Sequence, residues 1–438
     1  MQPILSSEKM RAADAAAGAT LAPDRLVHLA GTAVALEAQR LLGSCYGRRV
    51  AVLAGPGLNG TDGRIAAAWL EGRGARVEVI EWDRAPEQLV GYDLVIDAAF
   101  GLGCTRPYRA PSTSPGTKVL AVDLPSGVSA DTGATLGSPL SATATLALGA
   151  FKPAHFVGPA SNLMGELRFA GLGIVKDFED ALMDDGDLAT FVRGGREDHK
   201  WTHALQAFVG STLMPGAAEL VLRGALAGGA SMIRLVSRGE VAALVELPPE
   251  VVHASESTVD PRSRCVVAGP GLGAGGAEWL RGVLAGVTCP VVLDADGLDR
   301  SLIDECSPRD GSWVITPHDG EFTRLSGHAP GADRFDDVRS LARATGCVVL
   351  LKGPVTIIAR PTGELRVVTS GTASLATAGT GDVLAGLIAA TIARGHDPFY
   401  AAALSAHLHG RAGSRLAPYA HATQVVTQID AILAALGR

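Results

Sequence analysis

The chain has 438 residues, more than one hydrophobic core usually organises, so two domains are expected. Hydrophobic residues make up 47% and charged residues 19%, which supplies apolar material for packed cores and excludes extended disorder. A formal net charge of −7 leaves no basic footprint for nucleic acid, and no apolar run is long enough to span a bilayer.

The cysteines (45, 104, 265, 289, 306 and 347) are scattered, without the paired spacing of a zinc site or a redox pair. In a chain of this size they are expected as reduced thiols of a cytoplasmic protein. The stretch from Met1 to Lys9 has no basic run followed by an apolar core, so no signal peptide is expected.

In chain order, Ser6 or Ser7 is placed to cap an Ala-rich helix through Ala17, and a second helix is predicted from Pro23 to Leu42. Arg49–Ala54 follows as a buried strand. It runs into Gly55-Pro-Gly-Leu-Asn-Gly-Thr-Asp-Gly63 and a helix predicted from Arg64 to Leu70. A strand, a glycine-rich turn and a helix open a doubly wound nucleotide-binding sheet, although the spacing is not that of a dinucleotide fingerprint. Further strands are predicted at Arg76–Ile80, Leu94–Asp97, Val119–Asp123 and Thr143–Leu148. Two of them end in acids, Asp97 and Asp123, at the edge where such sheets bind ligands. Each acid alone is more readily a structural turn starter than a functional group. Their contexts, Asp97-Ala-Ala-Phe-Gly-Leu-Gly-Cys-Thr-Arg-Pro107 and Asp123-Leu-Pro-Ser-Gly127, shift the balance towards function.

With Lys152-Pro153 closing the series, residues 5–175 resemble the N-terminal domain of the NAD(P)H-hydrate epimerases. The resemblance implies a Rossmann-like domain with potassium bound by Asn59, Asp97 and Ser126. It implies that hydrated NADH or NADPH lies along two loops, with Asp123 as the acid/base. The loops are Leu58, Asn59, Gly60, Thr61 and Asp62, then Gly101, Leu102, Gly103, Cys104, Thr105, Arg106 and Pro107. Leu58 stands where the family has its first Asn, and Thr61 where it has the second Gly of a pair.

Residues 176–198 carry many acids and then glycines with weak apolar periodicity, and they are expected as a linker or surface excursion. The predicted domains are therefore 1–195 and 196–438. In the second, strands are predicted at Ala204–Val209, Met232–Val236, Cys265–Ala268, Trp313–Thr316 and Val348–Leu351. A hairpin is predicted from Thr356–Ala359 and Leu365–Val368, and alternation with helices implies a layered α/β sheet. Thr377-Ala-Gly-Thr-Gly-Asp-Val-Leu-Ala-Gly386 then crowds small residues before an apolar helix. Such a helix start suits an anion, and Asp382 in its first turn is either an ordinary dipole-favoured acid or a proton acceptor beside a phosphate.

The order His199-Lys, Met214-Pro-Gly-Ala, Gly269-Pro-Gly-Leu-Gly, Asp294-Ala-Asp, Thr316-Pro-His-x-Gly-Glu, Leu351-Lys-Gly and Gly379-Thr-Gly-Asp resembles the ADP/ATP-dependent NAD(P)H-hydrate dehydratases, a ribokinase-like α/β/α branch. The resemblance implies Asp382 as catalytic base and Gly379, Thr380 and Gly381 as phosphate amides. It puts Lys352, Gly353, Pro354, Val355 and Thr356 along the nucleotide, and Ala217, Gly271 and His318 near the hydrate. Here Lys200 is followed by Trp201 rather than Gly, and Gly371–Thr377 lacks the family's Asn-Pro-Gly-Met. ADP or ATP is the expected co-substrate, and Asp294 and Asp296 either bear on a magnesium ion or cap a turn. A bifunctional repair enzyme forming homo-oligomers is thus expected. Alternatives are a ribokinase-like kinase of a small alcohol, or a dehydratase with a non-catalytic N-terminal binding domain.

Overall fold

The computed structural model describes residues 1–20, 24–191, 195–255 and 258–436. Pro23, the expected helix start, and residues 192–194 of the expected linker lie outside the described residues. The chain divides into two compact units between Asp180 and Ala181, upstream of the expected boundary near 195. The acidic run explains the difference: Ala181 and Leu182 pair in parallel with Arg366 and Val367. Asp184 then caps a short helix, Asp185–Thr190, whose Thr190 hydroxyl meets that of Tyr400 at 3.0 Å. That segment is part of the second unit's fold.

In the N-terminal unit the strands lie in the order Glu166–Ala170, Ala144–Leu148, Lys118–Val122, Leu94–Ala98, Arg49–Ala54 and Arg76–Glu81, all parallel. Val50, Val52 and Ala54 face a core shared with Val34, Ala38, Ala66 and Leu70 of the helices Arg25–Leu42 and Leu58–Glu71. Ala51 and Leu53 face the opposite layer with Leu89 and Leu140. Period-2 alternation of apolar residues on both faces is what a covered parallel sheet requires.

The helix after the first strand begins at Leu58, not at Arg64. The glycine-rich stretch is therefore its first turns rather than a loop. Gly60 and Gly63 are there because the helix lies close to the sheet: a β-carbon at Gly60 would fall 2.0 Å from the Gly55 carbonyl oxygen, and one at Gly63 2.7 Å from Ala98 Cβ.

The second unit is a layered sheet in the order Asp180–Leu182, Leu365–Val368, Thr356–Ala359, Val348–Leu351, Trp313–Ile315, Val291–Leu293, Cys265–Ala268, Ala204–Ser211, Met232–Arg238 and Val251–His253. The hairpin at 356–368 is antiparallel. Helices Pro215–Ala227, Thr380–Ala393, Pro398–Ser414 and Ala422–Leu436 share one core with alternate strand residues such as Leu205, Val292 and Val314. Leu280, Phe322 and Leu341, from Gly276–Leu284, Asp319–Ser326 and Arg334–Thr345, are buried outside that cluster. This is the expected α/β/α layering. No described helix is long and apolar enough to cross a membrane.

Candidate active sites

The N-terminal unit contains a cavity of about 450 Å³ lined by Leu58, Asn59 and Asp62, by Gly101, Leu102, Gly103 and Arg106, and by Asp123. Gly60, Thr61, Cys104, Thr105 and Pro107 belong to the same two segments but do not line it. Thr61 is helical and its hydroxyl donates to Gly57 O at 3.3 Å, so it does not strain a turn. Leu58 stays exposed at the rim.

Asp123 follows its strand with φ +68°, a left-handed conformation rare for a non-glycine residue. Its surroundings hold it there. Lys152 Nζ donates to Asp123 Oδ1, and the Leu148 amide donates to the same oxygen at 3.2 Å. His155 Nδ1 accepts the Lys152 amide at 2.9 Å, which leaves Nε2 to donate to the Asp123 carbonyl at 2.8 Å. Burial, with Lys152 nearby, pushes the His155 pKa down to about 4, so the ring is neutral and this tautomer is fixed.

Asp97, two residues before the cavity-lining Ala99, is fully buried. It accepts the Ser126 amide at 2.8 Å and the Ser126 hydroxyl at 2.6 Å. Burial raises its pKa, and no cationic side chain pairs with it among the described residues. Asn59 Nδ2 donates to Val122 O at 2.9 Å, while Asn59 Oδ1 lies 2.9 Å from where a β-carbon of Gly101 would sit. A buried carboxylate without a positive partner, beside neutral oxygens, is a donor set that fits a monovalent cation. Among the described residues no group of three His, Cys, Asp or Glu side chains offers a site for a more demanding metal.

In the second unit the glycine-rich segment caps the helix Thr380–Ala393. Of Gly379 and Gly381, only Gly379 uses the left-handed region, with φ +86°. Gly381 is already helical, and its missing side chain leaves room over an ion pair. A β-carbon there would lie 3.6 Å from Lys352 Nζ and 3.7 Å from Asp294 Oδ2. Lys352 Nζ donates to Asp294 Oδ1 at 2.7 Å and lies 3.8 Å from Glu321 Oε2. Burial works against the Lys352 charge, but Asp294 and Glu321 outweigh it and raise the pKa. Asp382 is pushed up to about 7, mainly by burial and then by Asp294, with Lys352 opposing.

Asp294 is thus committed to a lysine, and Asp296 accepts the Gly273 amide at 2.8 Å. His318 is exposed. It caps the helix Asp319–Ser326, with Nδ1 accepting the amides of Gly320 and Glu321 at 3.0 and 3.3 Å. Ala217 and Gly271 meet directly, since a β-carbon on Gly271 would fall 2.6 Å from Ala217 Cβ. Gly353, Pro354, Val355 and Thr356 form the turn after Lys352, where the Thr356 hydroxyl donates to Gly353 O at 3.3 Å. Sequence reasoning assigned no role to Lys152, Asp14 or His409. Asp14 lines the N-terminal cavity. His409 is buried behind the backbone of Thr380 and its pKa falls to about 4. The one available signal was a Lys-Pro pair, at 152–153.

Residues 206–434 match the family described as NAD(P)H-hydrate dehydratase, and residues 23–90 and 80–154 match the YjeF-related protein N-terminus. The bifunctional NAD(P)H-hydrate repair enzyme Nnr of Mycobacterium tuberculosis is 34% identical over 431 residues, covering 90% of each chain. The chain belongs to the bifunctional NAD(P)H-hydrate repair enzymes. The family member from Synechocystis is 32% identical over 425 residues, covering 83% of this chain and 81% of the relative. Among solved structures, the ADP/ATP-dependent NAD(P)H-hydrate dehydratase of Bacillus subtilis, co-crystallised with ATP and Mg2+, is 27% identical with a TM-score of 0.52. It covers 57% of this repair-enzyme chain and 96% of its own, so it corresponds to one of the two units.

Proposed function

We propose that this chain interconverts the R and S hydrates of NADH and NADPH in its N-terminal unit and dehydrates the S form in its C-terminal unit, using ADP or ATP. Hydroxide is a poor leaving group, whereas phosphate is a good one. In this reading Asp382 removes the proton of the C6 hydroxyl as that oxygen attacks the terminal phosphoryl group, and the amides of Gly379, Thr380 and Gly381 take the developing charge. The ring nitrogen then expels phosphate, leaving a ring cation, and loss of a C5 proton to the departing phosphate or to water restores the dihydronicotinamide. Lys352, fixed by Asp294, lies beside Gly381 to receive the nucleotide phosphates. A magnesium ion fits here as a companion of the phosphates rather than the occupant of a protein cage, because Asp294 and Asp296 already have partners. Potassium is assigned to Asn59, Asp97 and Ser126, where it would neutralise the buried carboxylate and hold the Gly101–Pro107 segment. Asp123 is the group that exchanges protons with the hydrate.

The observation that carries the dehydratase reading is the Asp382 carboxyl, in the first turn of a helix and with a pKa of about 7. An acid tuned there can take a proton at neutral pH. The test is turnover of S-hydrate with ADP and with ATP, read as dihydronicotinamide absorbance. Recovery that Asp382→Asn abolishes supports the reading. A stable phosphorylated alcohol with no NADH points instead to a small-molecule kinase.

A further inference from the structure

Six charged side chains line the N-terminal cavity: Arg11, Asp14, Asp62, Arg106, Asp123 and Lys152. Their partners are unevenly shared. The Lys152 ammonium has three N–H bonds, and Asp123 Oδ1, Leu148 O (2.9 Å) and Ala150 O (2.9 Å) take all three. Arg11 donates to Leu102 O at 3.1 Å. Neither Arg11 nor Arg106 forms a salt bridge with Asp62 among the described residues. Asp62 is only 5% exposed, and no described donor reaches its carboxyl group. It shares the cavity with Asp123 and Asp14, two more acids whose charge opposes its ionisation. A carboxylate in such a place is destabilised by lost hydration and by like charge, so it keeps its proton. Its pKa is accordingly pushed up to about 8, burial contributing most. One cavity therefore holds an acid with an ammonium partner and an acid with none. This division of environments separates a proton acceptor from a proton donor.

We infer that Asp62 is a second catalytic residue of the epimerase site, a neutral carboxylic acid that protonates the departing C6 hydroxyl while Asp123 serves as the base. The inference rests on the epimerase reading of this unit. In the forward step the C6–O bond breaks, its electron pair stays on oxygen, and that oxygen leaves as water with the Asp62 proton. The lone pair of N1 forms a C6=N1 double bond, giving a ring cation. Water then adds to C6 from the opposite side and passes a proton to the Asp123 carboxylate, and the double-bond pair returns to N1. The proton gained by Asp123 passes back to Asp62, so atoms and charge balance over the cycle and no co-reactant is consumed.

The test uses the full-length chain without nucleotide, so that no dehydration occurs, and follows pure R-hydrate to S-hydrate by chromatography, with the uncatalysed rate subtracted. Wild type should lose rate as pH rises through about 8, as Asp62 ionises. Asp62→Asn should lower kcat by about 10²–10⁴-fold, with KM changed little and without the alkaline fall. Asp62→Glu, which keeps the acid, should recover part of the rate. The amide matches the neutral acid in shape and needs no proton uptake on folding, so melting at pH 7 should be no lower than wild type. An Asp62→Asn enzyme within a few-fold of wild type, or a wild-type rate flat through pH 9, overturns the inference while leaving the epimerase reading intact. If Asp62→Asn fails to fold, the wild-type pH profile alone decides. A wild-type chain that does not interconvert the hydrates at all overturns both.

Discussion

Asp382 is held in a place that costs stability, and its chemistry and its cost have the same origin. Burial and Asp294 raise its pKa to about 7, so dehydratase kcat/KM should climb with pH through about 7 and then level. Asp382→Asn should lower it by about 10²–10⁴-fold, the usual worth of a positioned base. The sign for stability is opposite. A carboxyl whose folded pKa is raised favours the folded state while protonated, below its unfolded value, and that contribution is lost as pH rises through the folded pKa. Asp382→Asn should therefore raise Tm by more at pH 8 than at pH 5, by differential scanning calorimetry; equal shifts at both pH values would contradict this. Lys152 is the converse case. Lys152→Met leaves Asp123 buried without its ammonium and should destabilise the N-terminal unit by about 3–5 kcal/mol in chemical denaturation. At this scale the motif acids were legible because glycines and prolines fix the turns around them. Asp14 was not, because it reaches the cavity from a helix remote in sequence with no motif around it. Asp294 was left open because a Lys–Asp contact between residues 294 and 352 has no local signature.

The helix Thr380–Ala393 and the helix Pro215–Ala227 touch backbone to backbone, and this contact sets the anion site. A β-carbon on Gly386 would fall 2.0 Å from Val221 O, and one on Gly224 2.2 Å from Val383 O. Gly386→Ala should therefore separate the helices, cost about 1–3 kcal/mol or more, and raise the KM for nucleotide. A thermal melt and nucleotide titration check this, and unchanged values for both would contradict it. Ala217 lies on the second helix, so the same contact fixes its position relative to the phosphate loop. Strand positions were largely legible from apolar runs, and Cys265–Ala268, Val348–Leu351 and the hairpin fall where expected. The helix start at Leu58 was misread for a physical reason. Gly60 and Gly63 signal flexibility in a sequence, yet here they allow close approach between a helix and a sheet. The strand Asp180–Leu182 was missed because its flanking acids resemble a solvated linker, while its pairing partner lies far along the chain.

The whole molecule joins two compact α/β units, one for each proposed reaction on the same damaged coenzyme. The fold class and the pairing of activities were legible because ordered motifs cover both halves. The division at Asp180/Ala181 depends on tertiary contacts of the acidic segment and was not. If each site is self-sufficient, single-site variants should separate the activities. Asp123→Asn should keep S-hydrate dehydration and lose conversion of R-hydrate, and Asp382→Asn should do the reverse. The most direct measurement is dihydronicotinamide absorbance for a mixed R/S hydrate with ADP or ATP. The account predicts complete recovery by the wild-type chain, and with Asp123→Asn a rapid rise that stops at the S fraction, then creeps at the uncatalysed rate. No recovery by the wild-type chain with either nucleotide would contradict it.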